Sequence, residues 1–369
     1  MIRTRRARLV ASIAAMGLLL TACGGDGGAA EAEADDAGTA DDGGDEPTDD
    51  GAPDDGDGGS ASADWDALVA AAQEEGEVSI YTTQDPAFYE TIGAYFQDEY
   101  GITINVFRDI DATVAQRIES ELQTGSPTVD IGVLATPQFV RDYAERDLLT
   151  PPVGPEFASD DYADELQYGD YFEVSAFVTG LAWNTDLVPD GLEGYEDALD
   201  EEFRGRIGIV EPAAPSLVDY WLWLEETYGE DYVDQLAELE PRVYNSALTL
   251  NEALIAGEIA VSTYSNPPGL LDAQGNGAPV EVLVPEGVWG AHFYGFVFDE
   301  APNPNAAQLL ANHLVTPEGQ EVITRGIGSV RTDTDVALAY NPDVRYLDEE
   351  RLTDDFVREY QDEWRNTFQ

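Results

Sequence analysis

The sequence predicts an α/β protein in two lobes, each a mostly parallel sheet flanked by helices, and two observations carry that expectation. The first is a strand–loop–helix pattern repeated three times between Val78 and Tyr143. Short apolar runs of strand length lead into capped runs with helical spacing, as in parallel strands covered by helices. The second is length. From Asp64 to the C-terminus roughly 305 residues remain, enough for a substantial core in two parts.

The chain opens differently. Arg3, Arg5, Arg6 and Arg8 precede an apolar run from Leu9 to Leu20 that is too short for a good spanning helix. This reads as a signal peptide over residues 1–22. Leu20-Thr21-Ala22-Cys23 resembles a bacterial lipobox, so Cys23 is expected to carry diacylglycerol, two acyl chains being enough for stable attachment. Cys23 is the only cysteine, which leaves no intramolecular disulfide. Apart from Cys23, residues 23–63 are Gly, Asp, Glu and Ala with Ser, Thr and Pro, and lack aromatics and long aliphatics. Such a segment buries too little apolar surface to offset its ordering entropy and is expected to be a disordered acidic tether.

The folded part is expected to begin with a helix capped by Asp64, with Trp65, Leu68, Val69 and Ala72 on one face and Gly76 ending it. Val78–Tyr81 reads as a buried strand. Asp85 and Pro86 are N-cap and N1 of a second helix with Phe88, Ile92, Tyr95 and Phe96 inward. Ile102, Ile104 and Val106 alternate as a strand. A third helix carries Val114, Ile118 and Leu122 and stops at Gly125; Val129–Leu134 is a strand; Thr136-Pro137 opens a helix with Phe139 and Tyr143. The loops Thr82–Asp85, Asp109–Thr113 and Ala135–Gln138 all lie at the carboxyl ends of strands, where such sheets bind ligands, and each leads to a helix N-terminus suited to an anion.

Charge narrows the partners. The formal net charge is −58, and all 17 basic residues are Arg. That surface repels nucleic acid, so no nucleic-acid partner is expected. The carboxylate density suits high salt, where screening tames self-repulsion. His292 and His313 are the only histidines and lack partners at metal spacing, and no nucleophile elbow or P-loop is present. No enzyme activity and no cofactor are expected.

Six segments in order then carry a resemblance: Val78–Thr83, Ala182–Pro189 (AWNTDLVP), Phe203–Gly208, Ala256–Val261, Ala301–Ala307 and Thr316–Gln320. Together they resemble the type II periplasmic binding proteins of ABC importers, and among these the iron(III)-type group with its thiamine, polyamine and phosphonate relatives. The resemblance implies a two-lobed type II periplasmic-binding-protein fold joined by hinge strands, with crossings near Val174–Asn184 and Trp289–Phe298. It places residues 64–178 and 288–369 in one lobe and 179–287 in the other. It implies an extracytoplasmic, monomeric protein that closes on a small molecule or ion and delivers it to permease subunits. A ligand sensor on the same fold is the alternative, and an enzyme the less favoured one.

In ferric members of the group, two adjacent tyrosines after the second-lobe strand hold the iron. Here that loop reads Tyr264-Ser265-Asn266-Pro267-Pro268, with one tyrosine, so Tyr264 is the one weak metal candidate. The candidate ligand residues are Tyr81, Thr83, Gln84, Asp85, Asp111, Thr113, Trp183, Glu211, Ser216, Tyr244, Tyr264, Ser265 and Asn266. The aromatics would be walls. Asp85, Asp111 and Glu211 would favour a cation, the helix N-termini an anion, and the residues alone leave that sign open. The Gly-rich stretch Arg325–Arg331 could approach the cleft.

Overall fold

The structure, a computed structural model, describes residues 58–369, with side chains from Ala63 onward. The expected signal peptide, the lipidation site Cys23 and the tether up to residue 57 lie outside the described residues. The first helix, α1, spans Gly58–Glu75, so the expected cap Asp64 sits inside it and residues 58–63 are helical. Ser60, Ala61, Ser62 and Ala63 are small residues a helix tolerates, which allows it to start earlier than the apolar face predicts.

The first half follows the expected alternation: β1 (Glu77–Thr82), α2 (Pro86–Glu99), β2 (Thr103–Arg108), α3 (Asp111–Thr124), β3 (Ile131–Leu134) and α4 (Pro137–Glu145). Asp85 caps α2, accepting from the Ala87 amide at 2.9 Å, and Pro86 occupies N1. Gly125 ends α3 with φ 65°, a left-handed conformation that favours glycine. α2 buries Tyr89, Ile92 and Phe96 and leaves Tyr95 exposed, one position off the predicted face. After β4 (Leu149–Thr150), β5 (Tyr171–Val178) runs through the first sheet, and β6 (Leu181–Asn184) already belongs to the second.

The second sheet is built from β6, β7 (Ile207–Val210), β8 (Arg242–Tyr244), β9 (Val261–Ser262) and β10 (Val280–Leu283). Its helices are α5 (Pro215–Tyr228), α6 (Tyr232–Glu238), α7 (Ala247–Ile255) and α8 (Pro267–Gly275). The chain returns through β11 (Gly290–Phe298), then forms α9 (Pro304–Leu314), α10 (Pro317–Ile323), β12 (Gly328–Ser329), β13 (Ala339–Tyr340) and α11 (Asp354–Phe368). Strand order is β13-β12-β5-β11-β3-β1-β2, with β4 beside β11, in the first sheet and β10-β6-β9-β7-β8 in the second.

Each sheet is parallel where strands alternate with helices: β1 with β2 and β3, β7 with β8 and β9. Each turns antiparallel where β5–β6 or β10–β11 enters. The carboxyl ends of β1–β3 and of β7–β9 therefore both lie toward the connections between the sheets. One apolar cluster packs α1, α2 and α9 on one face of the first sheet; a second, with Tyr143, Phe296 and Phe298, packs α3 and α4 on the other. A third fills the second sheet around Tyr220, Trp221 and Trp223.

Candidate functional site

The loop after β1 is held rigidly. The Thr83 amide donates to Val133 O at 3.2 Å, and the Gln84 amide to Thr82 Oγ1 at 3.1 Å. The buried Gln84 side chain donates from Nε2 to Ser175 Oγ on β5 at 2.8 Å and accepts from the Tyr89 hydroxyl at 2.6 Å. The loop after β9 is tied to the connection between the sheets. Ser265 Oγ donates to Gly180 O at 2.8 Å, and Thr179 Oγ1 donates to Ser265 O at 3.1 Å. The Asn266 backbone is bracketed by the Asn251 side chain at 2.9 and 3.3 Å.

Between these loops lies a cavity of about 850 Å³. Thr83, Gln84, Asp85 and Phe88 line it from the first sheet, with Arg108 at the end of β2. Asn266, Pro268 and Asp272 line it from the start of α8. Phe177 and Phe293, on the two strands that connect the halves, form its base. Glu321, Arg325 and Ile327, at the end of α10 and before β12, complete the wall. The N-termini of α2 and α8 both open onto it, and Asn266 caps α8 without a side-chain bond.

Arg108 and Arg325 stand apart. Among the described residues every other guanidinium makes a hydrogen bond or ion pair, to a carboxylate or to a backbone carbonyl. Both arginines are exposed, whereas the Thr83 hydroxyl is buried and has no partner among the described residues.

The cavity gathers Thr83, Gln84, Asp85 and Asn266 from the predicted set; the other candidates lie elsewhere. Tyr81 is a core residue under α3. Its hydroxyl donates to Glu121 at 2.5 Å and lies 2.8 Å from Thr128 Oγ1, and burial, reinforced by Glu121, pushes it above the usual phenol range. Trp183 is packed within the second sheet against Gly191, because β6 runs between β10 and β9. Asp111 is a staple between loops, accepting from Thr136 Oγ1 at 2.5 Å and the Ala135 amide at 3.3 Å. Thr113 sits in the first turn of α3, its amide on Ile110 O. Glu211, Ser216 and Tyr244 do cluster at the carboxyl edge of the second sheet, the Glu211 amide donating to Tyr244 O at 2.9 Å, but they do not line the cavity. Ser265 directs its side chain to Gly180 instead.

Tyr264 is buried 4.9 Å from the Tyr220 ring and 6.1 Å from Trp289, and burial holds its phenol well above the usual range. Tyr264 does not line the cavity. Pro267 and Pro268 open α8 where a tyrosine pair is expected, and Pro268 lines the cavity. Among the described residues no group of three or more His, Cys, Asp or Glu side chains is placed to hold a metal ion.

The cavity residues that sequence reasoning missed include Arg108, Phe177, Phe293, Asp272 and Glu321. Phe88, predicted on the core face of α2, packs against the core cluster and also lines the cavity. Arg325 was signalled only by its Gly-rich surroundings. The two histidines are structural: His313 is buried with its pKa lowered by burial to about 4, and His292 Nδ1 lies 2.8 Å from Glu173 Oε2.

Comparison with known proteins agrees with this architecture. The structure resembles iron-bound HitA from Pseudomonas aeruginosa with a TM-score of 0.58 and 20% identity, over 79% of this chain and 99% of that one. It resembles AfuA from Actinobacillus pleuropneumoniae, with exogenous fructose-6-phosphate bound, at TM-score 0.54 and 19% identity, over 79% and 98%. It resembles IdiA (FutA) of Trichodesmium, in complex with iron and citrate ligands, at 0.54 and 19%, over 79% and 97%. These likenesses establish a type II periplasmic-binding-protein fold. A search of the curated proteins finds no match. Residues 91–345 match the family described as bacterial extracellular solute-binding protein, and the chain belongs to that family.

Proposed function

We propose that this chain is the solute-capturing component of an ABC importer, held outside the cell membrane by lipid on Cys23 and acting as a monomer. Two lobes, residues 64–178 with 288–353 and residues 179–287 with α11, whose Val357 and Trp364 pack on the second-sheet core, close on the solute, and the closed form delivers it to permease subunits. The solute is a small organic anion carrying a phosphate, phosphonate or carboxylate group. One observation carries that assignment: in a chain with 75 carboxylates, the two arginines that make no hydrogen bond or ion pair among the described residues both line the cavity. A guanidinium offers a planar fork of donors matched to an oxyanion. The N-termini of α2 and α8 add amide donors and partial positive charge. Phe88, Phe177 and Phe293 offer apolar surface to the body of the solute, and Asp272 and Glu321 accept from its hydroxyl or amine groups. A bare ferric ion is disfavoured because prolines stand where the tyrosine pair is expected and Tyr264 packs against Tyr220 in the core, away from the cavity lining.

Thermal-shift measurement tests the assignment. Fructose 6-phosphate, citrate, simple phosphonates, thiamine, polyamines and ferric iron form the panel. A phosphate, phosphonate or carboxylate should raise Tm, with a stabilisation of about 2.7 kcal/mol at a hundred times Kd. Arg325→Gln and Arg108→Gln should each remove most of that shift. A rise with ferric iron or a polyamine alone would overturn the anion assignment.

A further inference from the structure

Residues 341–353, between β13 and α11, touch both halves of the molecule. On the first-sheet side, Asn341 Nδ2 and the Tyr346 hydroxyl donate to the buried Glu173 carboxylate of β5 at 3.0 and 2.7 Å. The Tyr346 ring stacks on His292 of β11 with 3.9 Å between centroids and 4° between planes. Glu349 pairs with Arg141 of α4 at 3.2 Å. On the second-sheet side, Arg345 pairs with Asp219 and Glu226 of α5 at 3.4 and 3.0 Å, and Arg351 pairs with Glu226 at 2.6 Å. Between the two, the Arg345 amide donates to Val288 O at 2.8 Å, in the segment that joins β10 to β11.

We propose that this strap, where the chain passes a third time between the halves, from β13 in the first sheet to α11 packed against α5, fixes the angle between the two sheets and so holds the cavity walls in register. The two strand crossings, β5–β6 and β10–β11, leave a rotation about their own line unopposed. A strap anchored on α4, β5 and β11 at one end and on α5 at the other opposes it, because any such rotation shears its ion pairs and the His292–Tyr346 stack. It acts on the face of the connecting strands opposite the cavity. Phe293 lines the cavity while its neighbour on β11, His292, points away from it to meet Tyr346. The contacts exist in the arrangement in which both halves line one cavity, so they favour the form that binds solute, and loosening them lowers the competent fraction.

The test needs no solute, so its failure is distinguishable from failure of the importer assignment. Ile110 and Leu248, 63% and 66% exposed and one on each side, are replaced by Cys for fluorescent labelling in the full chain carrying Cys23→Ser. Single-molecule energy transfer then reads the distance between the halves. Arg141→Glu, at a half-exposed position where folding is not at risk, should broaden the distribution, as should Tyr346→Phe. The exchanged pair Arg141→Glu with Glu349→Arg should narrow it again. Distributions in Arg141→Glu and Tyr346→Phe that match the parent would overturn the proposal, as would an exchanged pair that stays broad.

Discussion

Arg325 follows α10 by two positions, and nothing about its own residue type marks it as different from the other arginines. What distinguishes it, together with Arg108, is that among the described residues it has no carboxylate within 4 Å. A charge-assisted bond from such a group is worth roughly 1.5–3 kcal/mol, so Arg325→Gln should weaken solute binding by about 10- to 100-fold in titration calorimetry. Secondary structure should be unchanged, since the side chain supports no neighbour. Gly290 shows the opposite constraint. A Cβ there would lie 2.3 Å from the Phe177 carbonyl oxygen on the paired strand. Gly290→Ala should therefore cost about 1–3 kcal/mol in urea unfolding, the penalty of forcing extra volume between backbones.

At the scale of elements, the strongest internal feature is the polar knot where β5 and β11 meet the C-terminal strap. Glu173 is fully buried and accepts from Tyr168 and Tyr346 at 2.7 Å each and from Asn341 at 3.0 Å, and lies 2.8 Å from His292 Nδ1. Burial alone would raise its pKa, but the bonds from His292, Tyr168 and Tyr346 outweigh it and leave the carboxyl below the usual range. A carboxyl lowered on folding stabilises the protein above its unfolded pKa of about 4.3 and loses that stabilisation as pH falls through the folded value. Glu173→Gln should lower stability by roughly 2 kcal/mol at pH 7 and should flatten this part of the acid unfolding profile. A variant with the parent's acid profile would remove Glu173 from that role.

The caps and ends of elements were largely legible in the sequence. Asp85-Pro86 and Gly125 behave as their residue types require, because capping depends on neighbours within one turn. Element faces were less legible. Tyr81 and Trp183 read as possible walls because an aromatic on a strand near a loop looks the same whether it faces a core or a cleft. Only the position of the strand in its sheet decides, and both lie in interior strands.

For the molecule as a whole, charge is the dominant fact. A net charge of −58 on 369 residues means that the folded state carries substantial self-repulsion at low ionic strength. The cross-sheet ion pairs are few, and those at the surface are each worth at most about 1 kcal/mol. Raising salt from about 0.1 M, where the Debye length is about 10 Å, to about 1 M, where it is about 3 Å, should raise Tm, because screening relieves more repulsion than it removes attraction. A Tm that falls with salt would show that the arginine pairs outweigh the self-repulsion.

The sequence by itself determined the α/β alternation, the helix caps, the order of the segments that mark the family, and the strand ends at which the binding loops sit. These follow from periodicity and local chemistry, which act over a few residues. Only the tertiary structure decided which side chains share the cavity. Gln84, Arg108, Asn266, Phe293 and Arg325 meet because two sheets direct their strand ends toward the same crossing. The missing partner that singles out an arginine is a property of three-dimensional distances, and no spacing along the chain encodes it.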